Sequence, residues 1–143
     1  MPDTNFAQTV PNAYRTVSAV ETYLRDCGLE MSLMNLVKMR ASQINGCAFC
    51  LNMHSQHARQ DGESEQRLYV LNAWREAPFY TERERAALAL TEHLTRLPVN
   101  GGRPAEVVRL FSPVEIANLT LVIAMINLWN RLVIGGGFHL EAA

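Results

Sequence analysis

One uninterrupted run near the C-terminal end constrains this chain more than any other feature. Ser112-Pro113-Val114-Glu115 reads as a capping box with proline at the first helical position. Nothing stops the helix it opens until Gly135-Gly136-Gly137. At about 22 residues such a helix is roughly 33 Å long. Its apolar residues, Leu119, Leu121, Val122, Ile123, Met125, Ile126, Leu128 and Trp129, do not keep to one stripe, and a helix apolar on most sides is buried on most sides. A chain of 143 residues cannot easily wrap it alone, so the run predicts a subunit interface along it.

The remaining pattern is also helical. Tyr14, Val17, Val20, Leu24 and Cys27 recur at three- and four-residue steps, and Gly28 stops that helix. Met31, Met34, Val37 and Ala41 repeat the pattern up to Gln43, and Asn45-Gly46 breaks it. A third helix begins around Cys47 and ends at Asp61-Gly62. A fourth follows the N-cap residue Ser64 and runs to about Trp74. Thr81-Glu82-Arg83-Glu84 is a second capping box and opens a helix that ends before Pro98. A short helix covers Pro104 to Leu110. No strand emerges. The expectation is one all-α domain over residues 1–143, of about six to seven helices, with residues 1–11 as a loose arm.

Composition narrows the partners. The net charge of −1, from 13 basic and 14 acidic residues, builds no field for nucleic acid or an anionic membrane. The most apolar stretch, Leu119 to Ile126, is too short to cross a bilayer. The first residues lack the basic and apolar regions of a secretory signal, so a cytoplasmic location is expected. In that compartment three cysteines are not structural staples. Cys27 fits a core position. Cys47 and Cys50 need another explanation.

If the third helix starts at Cys47, then Cys47, Cys50 and His54 stand at i, i+3 and i+7 on one face. Neighbouring helical turns bring Cα atoms within the roughly 4.4–6.8 Å that a disulfide accepts, and His54 lies one turn past Cys50. A thiolate is the nucleophilic form of cysteine, and a helix N-terminus favours it. A histidine can take the proton. Attack on a peroxide gives a sulfenic acid, which a second thiol three residues away condenses to a disulfide. Zinc fits worse: Cys47, Cys50, His54 and His57 lie along about 15 Å of a single helix, which cannot wrap a tetrahedral ion. His57, His93 and His139 have no comparable partner and read as structural or surface residues. No cofactor and no metal are expected.

The segment from Leu36 to His54 (Leu-Val-Lys-Met-Arg-Ala-Ser-Gln-Ile-Asn-Gly-Cys-Ala-Phe-Cys-Leu-Asn-Met-His) resembles the alkylhydroperoxidase D-like (AhpD-like) branch of the carboxymuconolactone decarboxylase family. The likeness continues through Trp74 to Pro78, Thr81 to Leu88, Phe111-Ser112 and Leu119 to Arg131. It implies an all-α fold, assembly into trimers or hexamers, and peroxidase activity that draws electrons from a thiol or dithiol donor. Carried over, Cys50 attacks the hydroperoxide, Cys47 resolves, and His54 joins a proton relay. The helix dipole alone favours Cys47 as nucleophile, whereas the place of His54 beside Cys50 sides with the family.

The chain departs from the pattern where the family has a glutamate in the preceding helix, since that position is Asn35. An amide cannot accept a proton at neutral pH, and Glu30 or Glu92 is the candidate substitute. Phe49 and Asn52 also stand where relatives carry ionisable groups. The leading expectation is a thiol peroxidase. The alternatives are a carboxymuconolactone-type decarboxylase, against which the cysteine pair argues, and a non-catalytic redox-responsive homo-oligomer. The apolar Phe49, Leu51 and Met53 around the motif point to an organic substrate.

Overall fold

The structure, a computed structural model, describes residues 4–99 and 101–141. Among them it contains eight α-helices and one 3-10 turn, and no strand. The helices are α1 (Phe6–Thr9), α2 (Pro11–Arg25), α3 (Met31–Asn45), α4 (Ala48–Gln60), α5 (Glu65–Tyr69), α6 (Glu82–Arg96), α7 (Ala105–Leu110) and α8 (Pro113–Gly135), with the 3-10 turn at Leu71–Ala73. Local signals set most boundaries. Thr81 with Glu84, and Ser112 with Glu115, form complete capping boxes, and the Ser64 hydroxyl caps α5. Each cap satisfies N–H groups that a helix start leaves unpaired.

Two elements differ from expectation. The expected loose arm carries α1, capped by the Asn5 side chain, and the Thr4 N–H donates to the Gly136 carbonyl at 2.8 Å. The fourth expected helix is broken at Val70. There the backbone tightens to three-residue hydrogen bonds, from Ala73 to Val70 and from Trp74 to Leu71. The tighter turn points both Leu71 and Trp74 into the core, at 0% and 5% exposure.

Helices α3 and α8 form the centre, with α6 packed on both and α4 on α3. Helix α3 is buried on two sides. Leu33, Met34 and Val37 join the α2, α6 and α8 cluster, while Leu36 and Met39 join a second cluster with Ala58, Leu71, Trp74 and Leu88.

Within the single chain α8 is wrapped incompletely, as expected of so apolar a helix in a chain of this length. Val114, Ala117, Thr120, Ala124, Arg131 and Ile134 recur at helical spacing and leave one face open to solvent. Small and polar side chains make the middle of that face, between the exposed Val114 and Ile134 at its ends. At 23 residues α8 is also long and apolar enough, by length and composition, to cross a membrane, unlike the eight-residue run within it. Here it is a core helix. Its apolar face meets α3 and α6, and Asn118 and Asn130 are buried and hydrogen-bonded within the fold.

Candidate active site

The site is built at the junction of α3 and α4. Gly46 ends α3 in the left-handed region, at φ +68°, which a residue with a Cβ adopts at a cost. The Cys47 N–H donates to the Ser42 carbonyl at 3.1 Å and the Gly46 N–H to the Gln43 carbonyl at 3.3 Å. This pair of bonds is a Schellman closure. It hands the chain to α4 without a loop and makes Cys47 the N-cap of that helix. Side chains lock the junction to α8. The Asn45 amide donates to Asn127 Oδ1 at 3.0 Å and to Asn130 Oδ1 at 2.8 Å, and Asn130 Nδ2 donates to Ser42 Oγ at 3.0 Å.

Cys47 Sγ accepts a hydrogen bond from the Cys50 N–H at 3.3 Å, in the place a serine or aspartate cap would take. The two sulfurs are joined as a disulfide, with Cα atoms 5.3 Å apart. Both residues are buried, but Cys50 lines an open cavity of about 830 Å³ and Cys47 does not. A cavity of this size lies within the range that accepts small organic molecules. Phe49 and Met53 line it too, whereas Leu51 packs against the second core cluster.

His54 also faces the cavity, at 8% exposure. Its pKa falls from the ordinary 6.5 to about 4, mainly because burial disfavours the imidazolium, with further lowering by the positive charge of Lys38 and by His57. It is therefore neutral at pH 7. A neutral imidazole can receive or relay a proton, but it lends the sulfur no positive charge. His57 is exposed but lines the same cavity, its ring edge-on to that of His54 with centroids 6.0 Å apart.

The acids are not where the sequence placed them. Glu30, the N-cap residue of α3, pairs with Arg83 of α6 at 2.7 Å. Glu92 is buried and accepts from Arg40, Trp74 and Arg75. Burial opposes its ionisation, but those hydrogen bonds outweigh burial and hold its carboxyl below the ordinary value. Neither glutamate lines the cavity. The acids that do are Asp61, which accepts from Asn35 Nδ2 at 2.8 Å, and Glu21, which pairs with Lys38 at 3.3 Å and accepts from Trp129 Nε1 at 2.9 Å. The position of Asp61 at the end of α4, three and four turns from the cysteines, is the signal that could have found it. Cys27 is half-buried at the rim of the core, as expected of a packing residue.

Comparison with known proteins agrees with this architecture. The sequence profile of the carboxymuconolactone decarboxylase family matches residues 10–93. The uncharacterized protein YdfG of Bacillus subtilis is 38% identical over 93% of this chain and 92% of its own length. YnjA of Escherichia coli, also uncharacterized, is 27% identical over 72% of this chain and 58% of its own length. The crystal structure of ATU0492 from Agrobacterium tumefaciens, a protein of unknown function proposed as an AhpD antioxidant defence protein, superposes with a TM-score of 0.91 at 39% identity over all of both chains. The debrominase Bmp8, solved with 2,3,4-tribromopyrrole, shares the fold at a TM-score of 0.84 and 19% identity, over 94% of this chain and 74% of its own. This chain belongs to the carboxymuconolactone decarboxylase family, in its AhpD-like branch.

Proposed function

We propose that the protein is a thiol-dependent peroxidase that reduces organic hydroperoxides through the Cys47–Cys50 pair. One observation carries this reading: within a bridging cysteine pair, only Cys50 faces the cavity, and the buried His54 faces it as well. The Cys50 thiolate attacks the terminal oxygen of the hydroperoxide and breaks the O–O bond. Cys50 becomes a sulfenic acid and the alkoxide leaves as an alcohol after taking a proton, for which His54, facing the same cavity, is the relay. The Cys47 thiol then displaces water from the sulfenic acid and forms the disulfide. An external thiol or dithiol donor returns both cysteines to the reduced state by exchange.

The family and the likeness to ATU0492 support an antioxidant, peroxidase-related role. The apolar cavity wall, with Met31, Met34, Phe49, Met53 and Trp129, supports an organic substrate. The open face of α8, with Val114 and Ile134 at 67% and 52% exposure, supports a homo-oligomer. The test is a thiol count on reduced protein before and after one equivalent of cumene hydroperoxide, with peptide mass mapping. Rapid loss of two thiols, with Cys47 bridged to Cys50 and Cys27 free, is the expected result. Unchanged thiols would overturn the reading.

A further inference from the structure

A thiol peroxidase needs its reacting sulfur ionised, and the geometry leaves the source of the stabilising charge open. The N-terminal turn of α4 supplies part of it, since Cys50 sits in that first turn. His54 supplies none while it is neutral. Two cations line the cavity: Arg25 is exposed and Lys38 is half-buried. Helices α3 and α4 run antiparallel from the Gly46 turn, and Asn35 is bonded to Asp61 at the opposite end of the pair. Lys38 lies one turn from Asn35 toward the junction, which sets it level with the His54–His57 turn of α4. Its side chain lines the cavity together with Cys50 and His54. It is only 19% exposed, and its ammonium is tied across the cavity wall to Glu21 of α2 at 3.3 Å. Glu21 is in turn fixed by Trp129 of α8, whose indole N–H donates to its other oxygen at 2.9 Å. Three helices thus hold one ammonium group at the cavity wall.

We propose that Lys38, positioned by Glu21 and Trp129, is the cation that stabilises the reduced Cys50 thiolate. The assignment rests on the reading of Cys50 as the reacting thiol. The lowered basicity of His54 comes mainly from burial, and the positive charge of Lys38 adds to it, which places that charge near the imidazole. The other charged or titratable groups that face the cavity are Tyr14, Glu21 and Arg25 from α2, and His57 and Asp61 from α4. Among the described residues, α1 and α8 contribute no charged side chain to it. Glu21 offsets part of the Lys38 charge. The two residues therefore act on the sulfur with opposite sign, and this separates the proposal from a packing role.

The experiment measures the rate of Cys50 alkylation by iodoacetamide against pH in the fully reduced protein, with mass mapping to read Cys50 alone. Lys38→Met is expected to raise the apparent thiol pKa by up to about one unit, the low end of what an opposite charge within about 4–6 Å gives. Lys38→Arg is expected to keep it. Glu21→Gln is expected to lower it, because the ammonium loses its neutralising partner. A Lys38→Met profile equal to wild type would overturn the proposal. So would Lys38→Met and Glu21→Gln moving the pKa in the same direction, as general loosening of the wall would do. If Lys38→Met fails to fold, Glu21→Gln decides by its sign, and an unchanged or raised pKa overturns the proposal. Alkylation needs no peroxide. A wild-type protein inert to cumene hydroperoxide would sink the peroxidase reading and leave this measurement standing.

Discussion

Asn35 donates a hydrogen bond to Asp61 at 2.8 Å, joining the start of α3 to the end of α4 across the cavity that holds Cys50 and His54. The amide stands where the family carries a glutamate, and the carboxylate it grips has come from the neighbouring helix. The chain thus keeps an acid within one hydrogen bond of the family's position. If that acid serves the proton relay, Asp61→Asn lowers the rate of thiol oxidation by cumene hydroperoxide by about tenfold, less than the 10²–10⁴ of a direct acid–base group. The exchanged double variant, Asn35→Asp with Asp61→Asn, restores the rate, since it returns a carboxylate to the same bond. Stopped-flow thiol oxidation of the three proteins is the check. A double variant as slow as Asp61→Asn would limit Asp61 to a structural role.

The two cysteines differ in access, and their variants should differ in kind. Cys50→Ser abolishes reaction with hydroperoxide, because the cavity then holds no thiol. Cys47→Ser permits one round and stops at the sulfenic acid, which excess peroxide drives to the sulfinic state. Intact-mass measurement distinguishes these products, as one added oxygen passing to two. Full turnover by Cys50→Ser would reassign the nucleophile.

How much of this was legible in the sequence depends on distance along the chain. The capping boxes at Thr81 and Ser112, the stop at Gly46 and the spacing of Cys47, Cys50 and His54 are all local, and the structure follows them. Asn35 and Asp61 are 26 residues apart, and nothing local pairs them. The Lys38–Glu21–Trp129 cluster draws on three helices whose relative rotation only packing decides. The break at Val70 is likewise tertiary, since Leu71 and Trp74 gain burial from a turn that helix propensity alone would not choose. The open face of α8 was readable. Ala117, Thr120, Ala124 and Arg131 keep helical spacing along it.

Glu92 holds the α3–α6 core rather than the site. Its carboxylate takes Arg40 and Trp74 on one oxygen, and Arg75 at 2.6 Å on the other. Removing it leaves Arg40, at 8% exposure, as a buried charge without a counterion. Breaking a buried pair from one side costs about 3–5 kcal/mol. Glu92→Ala should lose stability of that order in urea denaturation, while Asp61→Asn, on the protein surface, should lose less than about 1 kcal/mol. Comparable losses in the two variants would contradict the division between core acid and cavity acid.

The burial of His54 predicts a pH dependence of stability with a definite sign. Its folded pKa of about 4 lies below its ordinary 6.5. Between these values the unfolded chain binds a proton on this residue and the folded chain does not, so lowering the pH favours unfolding. The stabilisation is complete above pH 6.5 and declines as the pH falls towards about 4. A shift of this size corresponds to about 3 kcal/mol at its limit. Glu92 and the other carboxylates with lowered pKa add their own losses only as the pH falls through the carboxylate range. The window from pH 6.5 to 5 therefore isolates the histidine. His54→Gln removes the group that titrates, and its urea midpoint should stay nearly flat across that window while the wild type declines. Lys38→Met should reduce the wild-type slope, because loss of the ammonium lets the imidazole accept its proton more readily in the folded state. Equal slopes in wild type and His54→Gln would show that His54 is protonated, or solvated, within the fold.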